Sequence, residues 1–162
     1  MNFFLRRRTM KRFFVTLTLT LVIVAVLIYS MPRGLEDYAK QISSSATVSI
    51  YCRCTDMDCI DIGSGKIVQC NVTDLNSALA RCKDVDGFSI SFDGTDEDIE
   101  RIVTQFNLKV TSTLNLDGLH IVCGNSARLT GGVTLDGKKV NLQIAYKDGT
   151  VTVGSPLILG SY

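Results

Sequence analysis

The sequence predicts an α+β protein, with an N-terminal transmembrane helix followed by a two-layer domain in which two helices pack on one face of a mostly antiparallel sheet. An uncharged, largely apolar run fills residues 13–29. Beyond residue 46, most segments alternate apolar and polar residues as strands do, and two segments have helical spacing. Asp-Gly pairs at 117–118, 136–137 and 148–149 indicate tight hairpin turns. A chain of 162 residues allows one domain of ordinary size.

The head of the chain predicts a membrane anchor. Five of the 17 Lys and Arg residues lie in residues 1–12, which we interpret as a basic cytoplasmic tail. Residues 13–31 are long enough to span a bilayer as a signal anchor, and the lipid bilayer is then their partner. Ile28 and Ser30 make a poor cleavage site, which favours an uncleaved anchor over a cleaved signal peptide. The remainder of the chain is then extracytoplasmic, in a single-pass protein of the cell membrane.

Residues 32–46 are polar and predict a juxtamembrane stalk, and residues 47–162 predict the extracytoplasmic α+β domain. Residues 47–54 and 66–73 alternate as strands on either side of an acidic loop. Leu75, Ala78, Leu79 and Cys82 form one helical stripe. A strand over 88–92 leads to a second helix capped by Thr95, and the chain after Asn107 is predicted to be β throughout.

One face of the predicted sheet carries small polar side chains. Ser89, Ser91, Asn141 and Gln143 alternate with apolar residues, so their side chains should point away from the helices. Such a face could dock another envelope protein or a polysaccharide, and we take these four residues as binding-face candidates. The alternative is a solvated sheet face, which is usual in two-layer folds.

Six cysteines lie in the body and none in the head. An even number outside a membrane favours disulfide bonds, and buried unpaired thiols are the alternative. The predicted pairs join strand to strand, close the acidic loop, and join helix to sheet: Cys52 with Cys70, Cys54 with Cys59, and Cys82 with Cys123. Their spacing lacks the second close pair of a zinc site, and the acidic loop does not match an EF-hand, so no metal or cofactor is predicted.

The net charge of the body and the side chains available for catalysis indicate which classes of function fit this chain. All 16 acidic residues follow residue 35, so residues 32–162 carry 12 basic against 16 acidic side chains, a net charge of −4. Nucleic-acid binding needs a basic face and is therefore not predicted. His120 is the single histidine, and no nucleophile stands beside a base. We predict a non-catalytic binding domain of the cell envelope, the alternative being an envelope-acting hydrolase or thiol-redox enzyme with an unrecognised site.

Three segments resemble the YwmB-type proteins, which are membrane-anchored envelope proteins of spore-forming Gram-positive bacteria. They are Phe88–Thr95, Val140–Tyr146 and Gly154–Ile158, and the resemblance extends over residues 86–160. It implies a fold like that of the TATA-box-binding protein, in an anchored extracytoplasmic domain with no known reaction. DNA binding would not follow from that fold, because the domain is acidic and lies outside the cell.

Overall fold

The computed structural model describes residues 15–25, 34–42 and 45–160, in two units, Met1–Pro32 and Arg33–Tyr162. In the first unit, residues 15–25 are helical, and the Thr20 hydroxyl donates to the carbonyl of Thr16 at 2.9 Å. The predicted basic tail and the two ends of the predicted span lie outside the described residues. No helix among those described has the length and apolar character needed to cross a membrane.

The second unit alternates short helices and strands. Its helices are α1 (Leu35–Ala39), α2 (Leu75–Arg81) and α3 (Glu97–Gln105), and a 3-10 turn over Val72–Asp74 leads into α2. Its strands are β1 (Thr47–Cys54), β2 (Ile60–Asp61), β3 (Lys66–Asn71), β4 (Lys83–Asp93), β5 (Lys109–Leu116), β6 (Leu119–Asn125), β7 (Val133–Leu135), β8 (Lys138–Val140), β9 (Leu142–Lys147) and β10 (Thr150–Ser155).

Eight of these strands form one sheet in the order β2-β3-β1-β4-β10-β9-β6-β5. Every neighbouring pair in it is antiparallel, and β7 and β8 form a separate antiparallel hairpin. The predicted α+β class with a mostly antiparallel sheet is therefore confirmed. β10 lies in the interior of the sheet, between β4 and β9, where it joins strands that are distant in the sequence.

The three Asp-Gly pairs form the tight turns that the sequence predicts. Asp117, Asp136 and Asp148 have φ of 42°, 49° and 48°, and the glycines that follow have φ of 80°, 74° and 83°. Two successive residues with positive φ are typical of the type I′ turn, whose twist matches that of the two strands it joins. These turns connect β5 to β6, β7 to β8, and β9 to β10.

The larger hydrophobic core lies on one face of the sheet. Ile102 of α3 and Phe106, which follows α3, share it with alternate residues of the sheet, such as Ile144. Leu35 and Tyr38 of α1 are buried in the same core, and the Tyr38 ring meets Phe106 edge-on at 5.5 Å. The prediction that residues 32–46 form a stalk therefore does not hold for α1. Leu35, Tyr38 and Ile42 do have the spacing of a short helix, but spacing alone does not show that this helix packs on the domain.

A smaller core lies on the opposite face of the sheet. Ile121, Cys123 and Ala145 point to this side and pack with Val133 and Val140 of the β7–β8 hairpin. Leu157 and Ile158, which follow β10, complete the cluster. We refer to residues 156–160 as the C-terminal tail. The face predicted to be open is therefore covered in large part by the hairpin and the tail.

Candidate functional site

The four binding-face candidates lie on or beside this second face, but two of them are buried. Ser89 is 2% exposed and Asn141 is 1% exposed. The prediction that all four side chains line an open surface is therefore wrong, because the C-terminal tail lies against Ser89 and the loop after β6 lies against Asn141. Ser91 is half-buried, and its hydroxyl lies 3.1 Å from the hydroxyl of Thr152 on β10.

The chain's own tail occupies the place that a docked peptide would take. The Gln143 side-chain oxygen accepts the N–H of Ile158 at 3.0 Å, and the Ser89 hydroxyl accepts the N–H of Leu159 at 3.1 Å. Gly154 lies between them on β10, and a Cβ built there would come within 2.5 Å of the Ile158 Cα. A glycine inside a strand can indicate such a close approach of backbone, and it is the one sequence signal of the tail's position.

Asn141 has a structural role in a different contact. Its side-chain oxygen accepts the N–H of Ser126 at 2.7 Å, and its amide donates to the carbonyls of Ser126 and Leu129 at 2.8 and 3.0 Å. These bonds fix the loop after β6 against the start of β9. Because all three partners are backbone groups of the chain itself, Asn141 is not available to an external ligand.

All six cysteines are free thiols in the structure. The Cys52 and Cys82 side chains are hydrogen-bonded to each other in the larger core, whereas Cys123 lies in the smaller core on the opposite face. The predicted pair of Cys82 with Cys123 is therefore not brought together. On β3, Cys70 lies opposite Val48 and Lys66 opposite Cys52. Cys52 and Cys70 are thus offset by roughly 13 Å along the strand, too far for a disulfide.

The buried thiols are poorly suited to nucleophilic chemistry. Burial, followed by the hydrogen bond with Cys82, raises the pKa of Cys52 from 9.0 to about 11. Burial also raises the pKa values of Cys70 and Cys123. A thiol with a raised pKa remains protonated at neutral pH, and the thiolate is the reactive form. Cys54 is exposed and Cys59 half-buried, next to the acidic loop.

The acidic loop is held by an ion pair. Asp56 accepts from the Arg81 guanidinium at 2.8 Å, and this hydrogen bond lowers the pKa of the carboxyl group. Asp61 accepts the N–H of Gly63 at 2.8 Å within its own turn. Across the described residues, no three His, Cys, Asp or Glu side chains are grouped so as to hold a metal ion.

His120 of β6 pairs with a carboxylate at the start of α3. Its Nδ1 lies 2.6 Å from Asp96 Oδ1, and both side chains are on the surface. A cavity of about 720 Å³ lies elsewhere, between α1, the start of β4 and the loop 128–133. It is lined by the carboxylates of Glu36, Asp37 and Asp86 together with Arg128. His120 does not line this cavity, so its imidazole does not act there as a base.

The outer edge of β5 is the longer of the two edges of the sheet. Lys109–Leu116 pairs with β6 on one side and ends the sheet on the other. Leu114 and Leu116 are 46% and 55% exposed, and Lys109 is the only charged residue of the strand. The opposite edge, β2, is two residues long. We refer to the outer side of β5, with Leu114 and Leu116, as the β5 edge.

The β5 edge was not among the sequence-predicted sites. The alternation of apolar and polar residues indicates a strand but not its place in the sheet, because strand order depends on pairings far apart in the sequence. Exposed backbone N–H and C=O groups on a long edge form a template for a further strand, and natural sheets usually shield such edges with charge, proline or bulges. Here a bulge lies between Val110 and Ser112, and the Lys138 ammonium donates to the Thr111 carbonyl at 3.3 Å. The remaining residues, Ser112–Leu116, include no charge and no proline.

Comparison of the chain with protein-family models, with curated proteins and with solved structures finds no match. The resemblance to the YwmB-type proteins therefore stays a prediction.

Proposed function

We propose that this chain is a non-catalytic interaction protein of the cell envelope that adds a strand of a binding partner to its β5 edge. In this proposal residues 13–31 are a transmembrane anchor and the N-terminus is cytoplasmic. The domain outside has two layers, with helices on one face of the sheet. The five basic residues before the apolar run support that orientation.

The observation that carries the proposal is the β5 edge itself. Eight residues of backbone end the sheet there, with two exposed leucines beside them and no charge after Lys109. In strand addition, main-chain hydrogen bonds supply affinity and side chains that flank the edge supply specificity. The second face of the sheet is a weaker candidate surface, because the tail already occupies the Ser89 and Gln143 acceptors.

Photo-crosslinking in intact cells tests the proposed surface. A photoreactive residue in place of the exposed Thr113 should give a discrete adduct, because a docked strand would lie within contact of that side chain. The matched control places the same residue at Ser64, which is exposed beside the β2 edge. No adduct at 113, or the same adducts from both positions, would contradict the proposal.

The proposed location has its own test. A C-terminal tag on the full chain should be cut by protease added to intact cells, and the protein should remain in the membrane fraction after an alkaline wash. Release of a soluble form that begins near Met31 would show that the head is a cleaved signal peptide.

A further inference from the structure

We propose that the strand that pairs with the β5 edge is β5 of a second copy of this chain. The two strands run antiparallel, with Leu114 opposite Leu114 of the other copy. This inference rests on the proposed function, because it names the partner of that same edge. Three properties of β5 support it: the length of its regular backbone, the position of its apolar side chains and the charges at its two ends.

The bulge in β5 sets the position of the pairing. Between Val110 and Ser112 the pairing with β6 shifts by one residue, and from Ser112 to Leu116 it is regular. A second strand can form an uninterrupted ladder only with this regular part. The five residues have Leu114 at their centre, so a two-fold axis through Leu114 pairs the whole segment with its own copy. Ser112 then lies opposite Leu116, and Thr113 opposite Asn115.

This pairing covers the exposed apolar side chains. Leu114 and Leu116 lie opposite Ile121 and Leu119 of β6, on the face of the smaller core. In the paired form, Leu114 would contact Leu114 of the second copy on that same face. Side chains opposite each other in an antiparallel pair lie about 4.5–5.5 Å apart at Cβ, close enough for direct contact. The smaller core would then continue across the axis into the second molecule.

The charges at the ends of β5 favour the antiparallel direction. Lys109 begins the strand, and Asp117 begins the turn that ends it. Antiparallel self-pairing places the Lys109 end of each copy beside the Asp117 end of the other, whereas parallel pairing places like charges together. An exposed ion pair contributes little affinity, but it discriminates between the two orientations.

A charge-complementation experiment on the full chain tests the pairing. Two differently tagged copies are co-expressed, and their co-purification from detergent-extracted membranes is measured. Leu114→Lys in both copies, or Leu114→Glu in both, should lower co-purification about tenfold, because like charges then face each other across the axis. A Leu114→Lys copy with a Leu114→Glu copy should restore it to within about twofold of the natural pair. The matched control is Ile60→Lys, at an apolar residue of β2 that is 54% exposed against 46% for Leu114, and it should have no effect.

The outcomes separate this inference from the proposed function. Two results would overturn the self-pairing. One is that the Leu114→Lys copy and the Leu114→Glu copy do not co-purify. The other is that co-purification is unchanged when both copies carry Leu114→Lys or both carry Leu114→Glu. A discrete Thr113 adduct that contains a different protein, with no co-purification of the two tags, would also overturn it while leaving the proposed function standing. Absence of any Thr113 adduct would remove both.

Discussion

Both faces of the sheet are covered over much of their area, but by different means. On one face, Ile102 of α3 and Phe106, which follows α3, pack with apolar residues of the sheet in the larger core. On the other, the tail and the β7–β8 hairpin add a smaller apolar cluster, and side-chain hydrogen bonds from Ser89 and Gln143 hold the tail's backbone. The helix-covered face therefore depends on packed volume, whereas the tail-covered face depends on a few specific polar contacts.

The largest effect should come from removing volume on the helix-covered face. Phe106 is fully buried, and Phe106→Ala would leave a cavity in the larger core. We expect it to lower the free energy of unfolding by about 3–5 kcal/mol, measured by chemical denaturation. The control Ile60→Ala, at an exposed apolar residue of β2, should change it by about 0.5 kcal/mol or less. Similar effects at the two positions would contradict the described core.

The next effect tests the polar contacts beside the tail-covered face. Asn141→Ala would leave two carbonyls and one N–H of the loop without their partner, and we expect a loss of about 2–3 kcal/mol. The control is Asn115→Ala, which removes an exposed amide from β5. A loss of about 0.5 kcal/mol or less at Asn141 would place its amide on a solvated face, as simple alternation predicts.

A matched pair of glycines tests the closeness of the tail. Gly154→Ala would place a methyl group within 2.5 Å of the Ile158 backbone, whereas a Cβ at Gly87 meets only the Tyr51 and Leu159 side chains at 3.4–3.6 Å. We expect Gly154→Ala to cost about 1–3 kcal/mol and to expose the tail to proteolysis. Gly87→Ala should do neither. Equal behaviour of the two variants would show that the tail does not lie over β10.

The smallest effect concerns pH and the buried thiol of the helix-covered face. Cys52 has a pKa of about 11 in the folded chain, above its ordinary value of 9.0. Because the unfolded chain loses this proton first, the thiol's contribution to stability is complete below pH 9 and is lost between pH 9 and about 11. Denaturation midpoints should fall over that range, and less steeply in Cys52→Val. An identical fall in both proteins would assign the effect to other groups.

The elements that could be predicted from the sequence are those whose pattern lies within a few neighbouring residues. The strand predicted over residues 47–54 coincides with β1, and the helix predicted after Thr95 is α3. The predicted cap is wrong by one residue, because the N-cap of α3 is Asp96, although the Asp98 carboxylate does accept the N–H of Thr95 at 2.8 Å. The tail has no period, so its position over Ser89 could not be inferred from alternation. Nor could the exposure of Leu114, because it depends on which strand ends the sheet. Both are consequences of contacts between residues far apart in the sequence.

The central position of β10 has a consequence for how the domain is made. Strands β1 to β4 form one half of the sheet and β5, β6 and β9 form the other, and β10 is the only strand that joins them. During synthesis, the ribosome completes β10 after all of these strands, and the tail later still. The two halves therefore leave the ribosome with an unpaired strand each, at β4 and β9. Until β10 is added, the free edges of β4 and β9 are open to mispairing.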